Sequence, residues 1–486
     1  MSEDPDFDME VVEDDELDEL GADGALSPKE DFRSEASREE SDTGTNETDD
    51  AESISSRTGS LASDSDREVF GLGSVPEEWN ISSLPSVVEI EMGSSPPSST
   101  YNEQEEGLPF YQGNADFGHM RPKVSTWCSD PVKTADKDDV LISIRAPVGD
   151  LNIADEHCCI GRGLAALRPK EVNGLYLFYG LAQRSRWLSR LASGSTFKSV
   201  SSADLEKVDL PIPPLPEQRK IASVLSAVDQ AIQKTEAIIE QAQRVKRGLM
   251  LDLLTQGMKD RPSKRVRVGP KEFSIPQNWS LVSLEEVTSK ITDGTHESPS
   301  KKDEGYPLIT AKHVTGGEID YGSSYLISEE AHEKVIQRSN PEKGDILFTH
   351  IGTLGEVARV KEEKEFSIKN VALFKPDRDK ILPEYLEYCL QGELVQNFID
   401  RLSQGGVQSF LSLTLFRQFE VPLPPLEEQA EIVEVLNSVD KEIRGSKEQK
   451  ERLQRLKKGL MQDLLTGEVP TADKAVKVLD EVKAHG

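Results

Sequence analysis

The chain has 486 residues, too many for one ordinary hydrophobic core and enough for two or three domains. Its formal net charge of −31 is uneven: residues 1–70 hold 25 acidic and 5 basic side chains, which leaves a net of only −11 on the rest. Four cysteines (Cys128, Cys158, Cys159, Cys389), none in a C-x-x-C pair, exclude a disulfide scaffold and offer no zinc motif. No apolar run reaches the ~18–20 residues of a spanning helix, and the N-terminus is acidic rather than basic and then apolar. The expected setting is a reducing cytoplasm, with no membrane partner.

In chain order, residues 1–70 are rich in Asp, Glu, Ser and Thr and poor in large apolar side chains, so they read as a disordered acidic tail. A folded pattern begins near Phe70, and from there the chain repeats itself. VPEEW (75–79) returns as IPQNW (275–279), an offset of 200. DVLIS (139–143) returns as DILFT (345–349), an offset of 206. PIPPL (211–215) with Glu217 and Gln218 returns as PLPPL (422–426) with Glu428 and Gln429, and KRGLM (246–250) returns as KKGLM (457–461), both at 211. The offset grows and then stays fixed. Two divergent modules, 71–215 and 272–426, are therefore each followed by a segment of constant length.

Those constant segments, 216–258 and 427–467, predict long helices. Each is free of proline after its first turn, and each carries apolar residues in a heptad frame. In the first, Ile221, Val228, Thr235, Ala242 and Leu249 share one position, and Val224, Ala231, Ile238, Val245 and Asp252 share the other. The second uses Ile432, Val435, Val439, Leu453, Leu456 and Leu460 around a polar middle. There Gly445 costs ~1 kcal/mol of helix stability, which predicts a looser seam. At ~1.5 Å per residue each helix is a rod of roughly 60 Å. Two such rods from head-to-tail repeats pair antiparallel and place the modules at opposite ends under a pseudo-twofold. Within the modules, runs at 140–144, 163–167, 345–349 and 371–374 predict strands, and 174–191 and 383–402 predict helices. Between the repeats, 259–271 reads as a basic linker, and 468–486 is a charged C-terminal tail.

No catalytic motif is present: neither phosphate-binding loop fingerprint, nor H-E-x-x-H, nor G-x-S-x-G. An acid-x-Lys sequence at 480–483 lies in the charged tail and lacks an upstream acidic strand. His296, His313 and His350 have no metal-ligand spacing and read as surface polar residues. What remains is recognition chemistry. The linker offers Lys264, Arg265 and Arg267 for phosphates. Glycine-flanked loops offer Gln112, Asn114, Arg145, Arg162 and Lys198 in the first module. The second offers Thr295, His296, Lys312, His313, Lys369, Asn370 and Gln408. Arg and Lys suit guanine edges, and Asn and Gln suit adenine.

The paired I/V-P-x-x-W starts, the P-[IL]-P-P-L-x-E-Q segments, the G-L-M-x-D-L-L-T helix ends, SIRAPVG (143–149), IGRGLA (160–165), GSTFK (194–198) and ITDGTH (291–296) together resemble the specificity subunit of type I restriction-modification systems. The likeness spans residues ~71–468. It implies an α/β (α+β) fold with two target-recognition domains of mixed twisted sheets, separated by a pair of long antiparallel coiled-coil helices with pseudo-twofold symmetry. It implies a non-catalytic chain that reads a split, asymmetric site on double-stranded DNA. Its helices would dock two modification subunits and, in some assemblies, restriction subunits. S-adenosylmethionine, ATP and Mg would sit on those partners and no cofactor on this chain. Two rival readings are a protein-interaction scaffold that reads no sequence and an enzyme with an unfamiliar site. The acidic tail lies outside the family core.

Overall fold

Short apolar runs closed by glycine and proline become strands, and the proline-started constant segments become helices, so the two halves build the same unit twice. The computed structural model describes residues 68–69, 73–185, 188, 199–268, 271–404 and 410–468. The acidic tail (save Glu68 and Val69), residues 189–198 and 405–409, and the C-terminal tail beyond Glu468 lie outside the described residues.

The first module contains β1 (Asn80–Ser83), β2 (Val88–Met92), β3 (Leu108–Tyr111), β4 (Val140–Ser143), β5 (Leu151–Ile153), β6 (Cys158–Ile160), β7 (Leu164–Pro169), α1 (Gly174–Gln183) and β8 (Asp209–Ile212). Strands β2, β7, β4 and β5, in that order, form an antiparallel sheet, and β3 lies parallel to β6 in a second sheet. The first rod helix, α2 (Leu215–Thr255), follows, and then the hairpin β9 (Ser263–Val268) and β10 (Lys271–Pro276).

The second module contains β11 (Ser280–Ser283), β12 (Thr288–Asp293), β13 (Tyr306–Ile309), α3 (Glu329–Arg338), β14 (Ile346–Phe348), β15 (Val357–Arg359), β16 (Ser367–Ile368), β17 (Ala372–Pro376), α4 (Pro383–Gln391) and β18 (Glu420–Leu423). The second rod helix, α5 (Leu426–Thr466), ends the described chain. Strand order β12, β17, β14, β15 and the parallel pair β13 with β16 repeat the first module's topology. The one-residue growth in repeat offset along β12 has a physical cause. The register of β12 against β17 slips between Thr288 and Lys290, a β-bulge that β2 lacks.

Core membership fixes the rod's polarity. Ile221, Val224, Val228 and Ile232 from the start of α2 pack in the first module's core with Leu453, Leu460 and Leu464 from the end of α5. Met250, Leu253 and Leu254 from the end of α2 pack in the second core with Ile432, Val433 and Leu436 from the start of α5. The helices are therefore antiparallel, and each module sits on the start of one and the end of the other.

The repeated motifs make these joints. Trp79 Nε1 donates to Glu217 at 3.3 Å, and Trp279 Nε1 to Glu428 at 3.1 Å, each at the first turn of a rod helix. Gln218 accepts the Asn173 N–H at 2.8 Å and donates to the Pro213 carbonyl at 2.8 Å. Gln429 does the same with Leu382 at 2.8 Å and Pro424 at 2.9 Å. At the opposite helix ends, Gly257 and Gly467 both hold φ near +75°, and a Cβ there would lie 2.8 Å from the Trp279 ring or 2.4 Å from Pro76. Each tryptophan is thus wedged between the start of one rod helix and the end of the other.

The structure revises four expectations. The heptad frame holds through Thr235 and then slips, leaving Ile238 50% and Val245 44% exposed while Ile239 is buried. A straight helix drifts ~20° per heptad from a 3.5-residue repeat, so the buried stripe moves on to Ile239 and Met250. The helix expected over 383–402 breaks at Gly392, whose extended backbone passes against Leu254 of α2, and resumes at Glu393–Gln404. The basic stretch is no loose linker. It is strand β9, with Val266 and Val268 packed on the second core and Lys264, Arg265 and Arg267 exposed. His313 and His350 are not surface residues, at 1% and 0% exposed.

Candidate nucleic-acid interface

In each module the loops leaving the equivalent strands β2, β3, β4 and β6 (β12, β13, β14 and β16 in the second) gather at one end of the sheets, tied by matching hydrogen bonds. Ser94 N–H donates to Ile160 O at 3.1 Å and Thr295 N–H to Ile368 O at 3.0 Å. Gly161 N–H donates to Tyr111 O, and Lys369 N–H to Ile309 O, both at 2.8 Å. Asp150 N–H donates to Ser143 Oγ, and Glu356 N–H to Thr349 Oγ1, both at 2.9 Å. These bonds align Ser95 with His296, Gln112 with Thr310, Arg162 with Asn370, and Arg145 with Ile351.

The first module brings its candidates together. Gln112 Nε2 and the Arg162 N–H both donate to Ser95 Oγ, at 3.1 and 3.2 Å, with Gln112 and Arg162 exposed. Gly161 and Gly163 permit this crowding, because a Cβ on either would lie within 3 Å of the Gln112 backbone. Asn114 donates to Asp150 at 3.3 Å. Arg145 is exposed on the neighbouring loop, where its backbone bridges to Ser199. Lys198 lies outside the described residues.

The second module answers with different side chains. His296 places Nδ1 2.9 Å from Asn370 Oδ1 and Nε2 3.1 Å from Asp293 Oδ2, and Asp293 also pairs with Arg338. Asn370 is held in the left-handed region at φ +53°, with its N–H on Thr295 O at 3.2 Å. Lys369 reaches Ser298 Oγ, Lys312 is exposed in the short turn Ala311–His313 that follows β13, and Thr295 is half-buried. His313 is taken up inward: its Nδ1 accepts the Thr310 N–H at 2.9 Å, and burial pushes its pKa down. His350 Nδ1 donates to Leu411 O at 2.9 Å, and burial lowers it too. Gln408 lies outside the described residues. Lys264, Arg265 and Arg267 belong to the hairpin beside the end of α2 rather than to this loop cluster.

Sequence reasoning missed Ser95, Asp150 and the Asp293–Arg338 pair. The DVLIS and DILFT repeat carried a signal for one missed feature: its last residues, Ser143 and Thr349, are the matching loop anchors. Ser95 gave none, because its counterpart is a histidine. The four cysteines are buried and unpaired, and burial pushes Cys158, Cys159 and Cys389 up to about 12. Among the described residues no group of three or more His, Cys, Asp or Glu could hold a metal, and no helix is long and apolar enough to cross a membrane.

Two pseudo-symmetric α/β modules that present polar loop ends on an antiparallel helical rod define a bipartite recognition protein. The family model for the type I restriction modification DNA specificity domain matches residues 76–244 and 276–455, once per repeat, and the chain belongs to that family. It is 26% identical over 413 residues to the MjaVIII type I restriction enzyme specificity subunit of Methanocaldococcus jannaschii, covering 83% of this chain and 95% of the relative. Identity to the MjaX specificity subunit of that organism reaches 42% over 188 residues, spanning 38% of this chain and 44% of the relative. The EcoBI specificity subunit of Escherichia coli is 26% identical, over 76% of this chain and 80% of its own. The crystal structure of the type I system S subunit from M. genitalium shares the fold, with a TM-score of 0.54 at 17% identity over 80% of this chain and 96% of that one. The role that family membership gives this chain is sequence-specific DNA recognition, not catalysis.

Proposed function

We propose that the chain reads a split, asymmetric site on double-stranded DNA, one half-site per module, within a type I restriction-modification complex. The observation that carries this is the duplication itself, with the family match falling once on each repeat and the modules seated at opposite ends of one rod. Two readers a helical turn or more apart on one duplex need a rigid spacer, and a pair of 41-residue helices supplies it. Gln112, Asn114, Arg145 and Arg162 read one half-site, and His296, Lys312, Lys369 and Asn370 the other. Two modification subunits dock on the rod helices. The methyl donor S-adenosylmethionine is bound there, and ATP and Mg on the restriction subunits. A scaffold that reads no sequence has no comparable support, since the family model that falls on each repeat is that of a DNA specificity domain.

The test is single-molecule mapping of methylated bases in cells with and without the gene, its partners being expressed. A bipartite motif that disappears on deletion is the expected result. Unchanged methylation would refute the reading and favour the scaffold.

A further inference from the structure

Each module is joined to the rod by a three-residue junction that the two halves build alike. In the first, Tyr179 of α1 donates to Asp229 Oδ2 of α2 at 2.8 Å, and Lys457 of α5 reaches Asp229 Oδ1 at 2.6 Å. The same ammonium lies 5.7 Å from the Tyr179 ring centre. In the second, Tyr388 of α4 donates to Asp440 Oδ2 of α5 at 2.8 Å, and Lys246 of α2 reaches Asp440 Oδ1 at 2.7 Å and lies 5.3 Å from the Tyr388 ring. One carboxylate thus receives a module helix, its own rod helix and the rod helix of the other repeat.

Outside these junctions and the two tryptophan joints at its ends, the seam holds register weakly. Apolar contacts are non-directional and tolerate sliding. The middle of the seam is polar, with Ile238 exposed, and the Lys450–Glu236 pair there at 2.9 Å is about a third exposed, so water screens it. A charged pair set into an apolar seam works differently, because a slide leaves a buried carboxylate without its cation; Asp229 is 1% exposed. On each helix the junction aspartate and lysine stand 17 residues apart, Asp229 to Lys246 and Asp440 to Lys457. Any axial slip therefore breaks both junctions at once.

We propose that these two junctions set the axial and rotational register of the modules, and with it the number of base pairs between the two half-sites. Each is completed by a lysine from the opposite repeat. The inference rests on the split-site reading above. One base pair is about 3.4 Å of duplex, and a slip of two helical residues is about 3 Å, so a small loss of register is enough to change the spacing.

The experiment maps methylated motifs in cells that express the full-length chain with its partners, comparing wild type, Lys246→Met with Lys457→Met, and Lys246→Arg with Lys457→Arg. The methionine pair should keep both half-site sequences but spread methylation to gaps one base pair shorter and longer, with native-gap sites down roughly tenfold. The arginine pair should keep the single native gap. Native spacing at the wild-type level in the methionine pair would overturn the proposal, and so would altered half-site sequences, which would place the lysines in base reading instead. Should the methionine pair yield no soluble complex, Lys457→Met alone is judged by the same criterion. A wild-type complex that methylates no split motif would instead remove the DNA-reading assignment, and this inference with it.

Discussion

At the rod, Trp79 and Trp279, Gln218 and Gln429, and Asp229 and Asp440 occupy matching places and meet matching partners. At the loop ends the same scaffold puts Ser95 opposite His296, Gln112 opposite Thr310, and Arg162 opposite Asn370. The hydrogen bonds that tie the loops are kept in both modules, while the exposed side chains the loops carry are not. Attachment demands one solution, because two modules must fit one rod. The loop ends are free to differ, because no shared rod surface constrains their side chains.

Breaking the shared part should cost most. Trp279→Ala removes a ring that is 1% exposed and leaves Glu428 only its ion pair with Arg261, and by analogy with buried aromatic truncations should cost about 3–5 kcal/mol. Trp79→Ala should do the same to the first module, and denaturant unfolding measures both. The two junctions sharpen the comparison, because they differ in burial. The Asp440 side chain, 34% exposed, lines a cleft of about 800 Å³ together with Lys246, Arg359 and Arg444, whereas Asp229 is closed in. Asp229→Ala should therefore cost several kcal/mol, about 3 or more, and Asp440→Ala clearly less, because water already screens it.

The reading ends should respond in specificity rather than stability. Arg162→Ala should relax one position of one half-site by about 1–3 kcal/mol of discrimination, and Asn370→Ala one position of the other. Competition binding by the assembled complex on variant sites reads each effect separately. The smallest contrast is in pH. Burial lowers His313, His332 and His350, all in the second module, while the first module's His119 and His157 are exposed. A histidine whose pKa is lowered by burial binds its proton more readily in the unfolded chain than in the fold. Stability is therefore full above the unfolded value near 6.5 and falls as pH drops below it, by up to about 1.4 kcal/mol per pH unit per histidine. Hydrogen exchange corrected for intrinsic rates should show β14 losing protection between pH 7 and 6 while β4 holds. Equal loss in both would contradict this.

Much of the fold was legible because duplication writes the same constraint twice. The constant 211-residue offset located both rod helices, and the proline-rich starts marked their first turns. The heptad frame misled beyond Thr235, because a straight helix drifts from a 3.5-residue repeat and carries the buried stripe to Ile239 and Met250. The hairpin at 263–276 was hidden by its charge: alternating Lys264, Val266 and Val268 against Arg265 and Arg267 is a strand pattern that reads as a basic linker. Glycine-flanked polar loops pointed to Gln112, Arg162, His296 and Asn370, which the fold does bring to the module ends. They also pointed to His313, and only burial distinguishes a histidine that caps a turn from one that faces solvent. Ser95 was beyond reach, since a serine bonded to a neighbouring loop leaves no mark in the sequence.

The most direct measurement of the central claim exchanges one reader and leaves the rod in place. Replacing residues 71–210 with the corresponding module of a relative that methylates a different site, and then mapping methylated bases, should change one half of the motif and leave the other half and the gap intact. A motif that stays whole, or one whose two halves change together, would contradict the assignment of one half-site to each module.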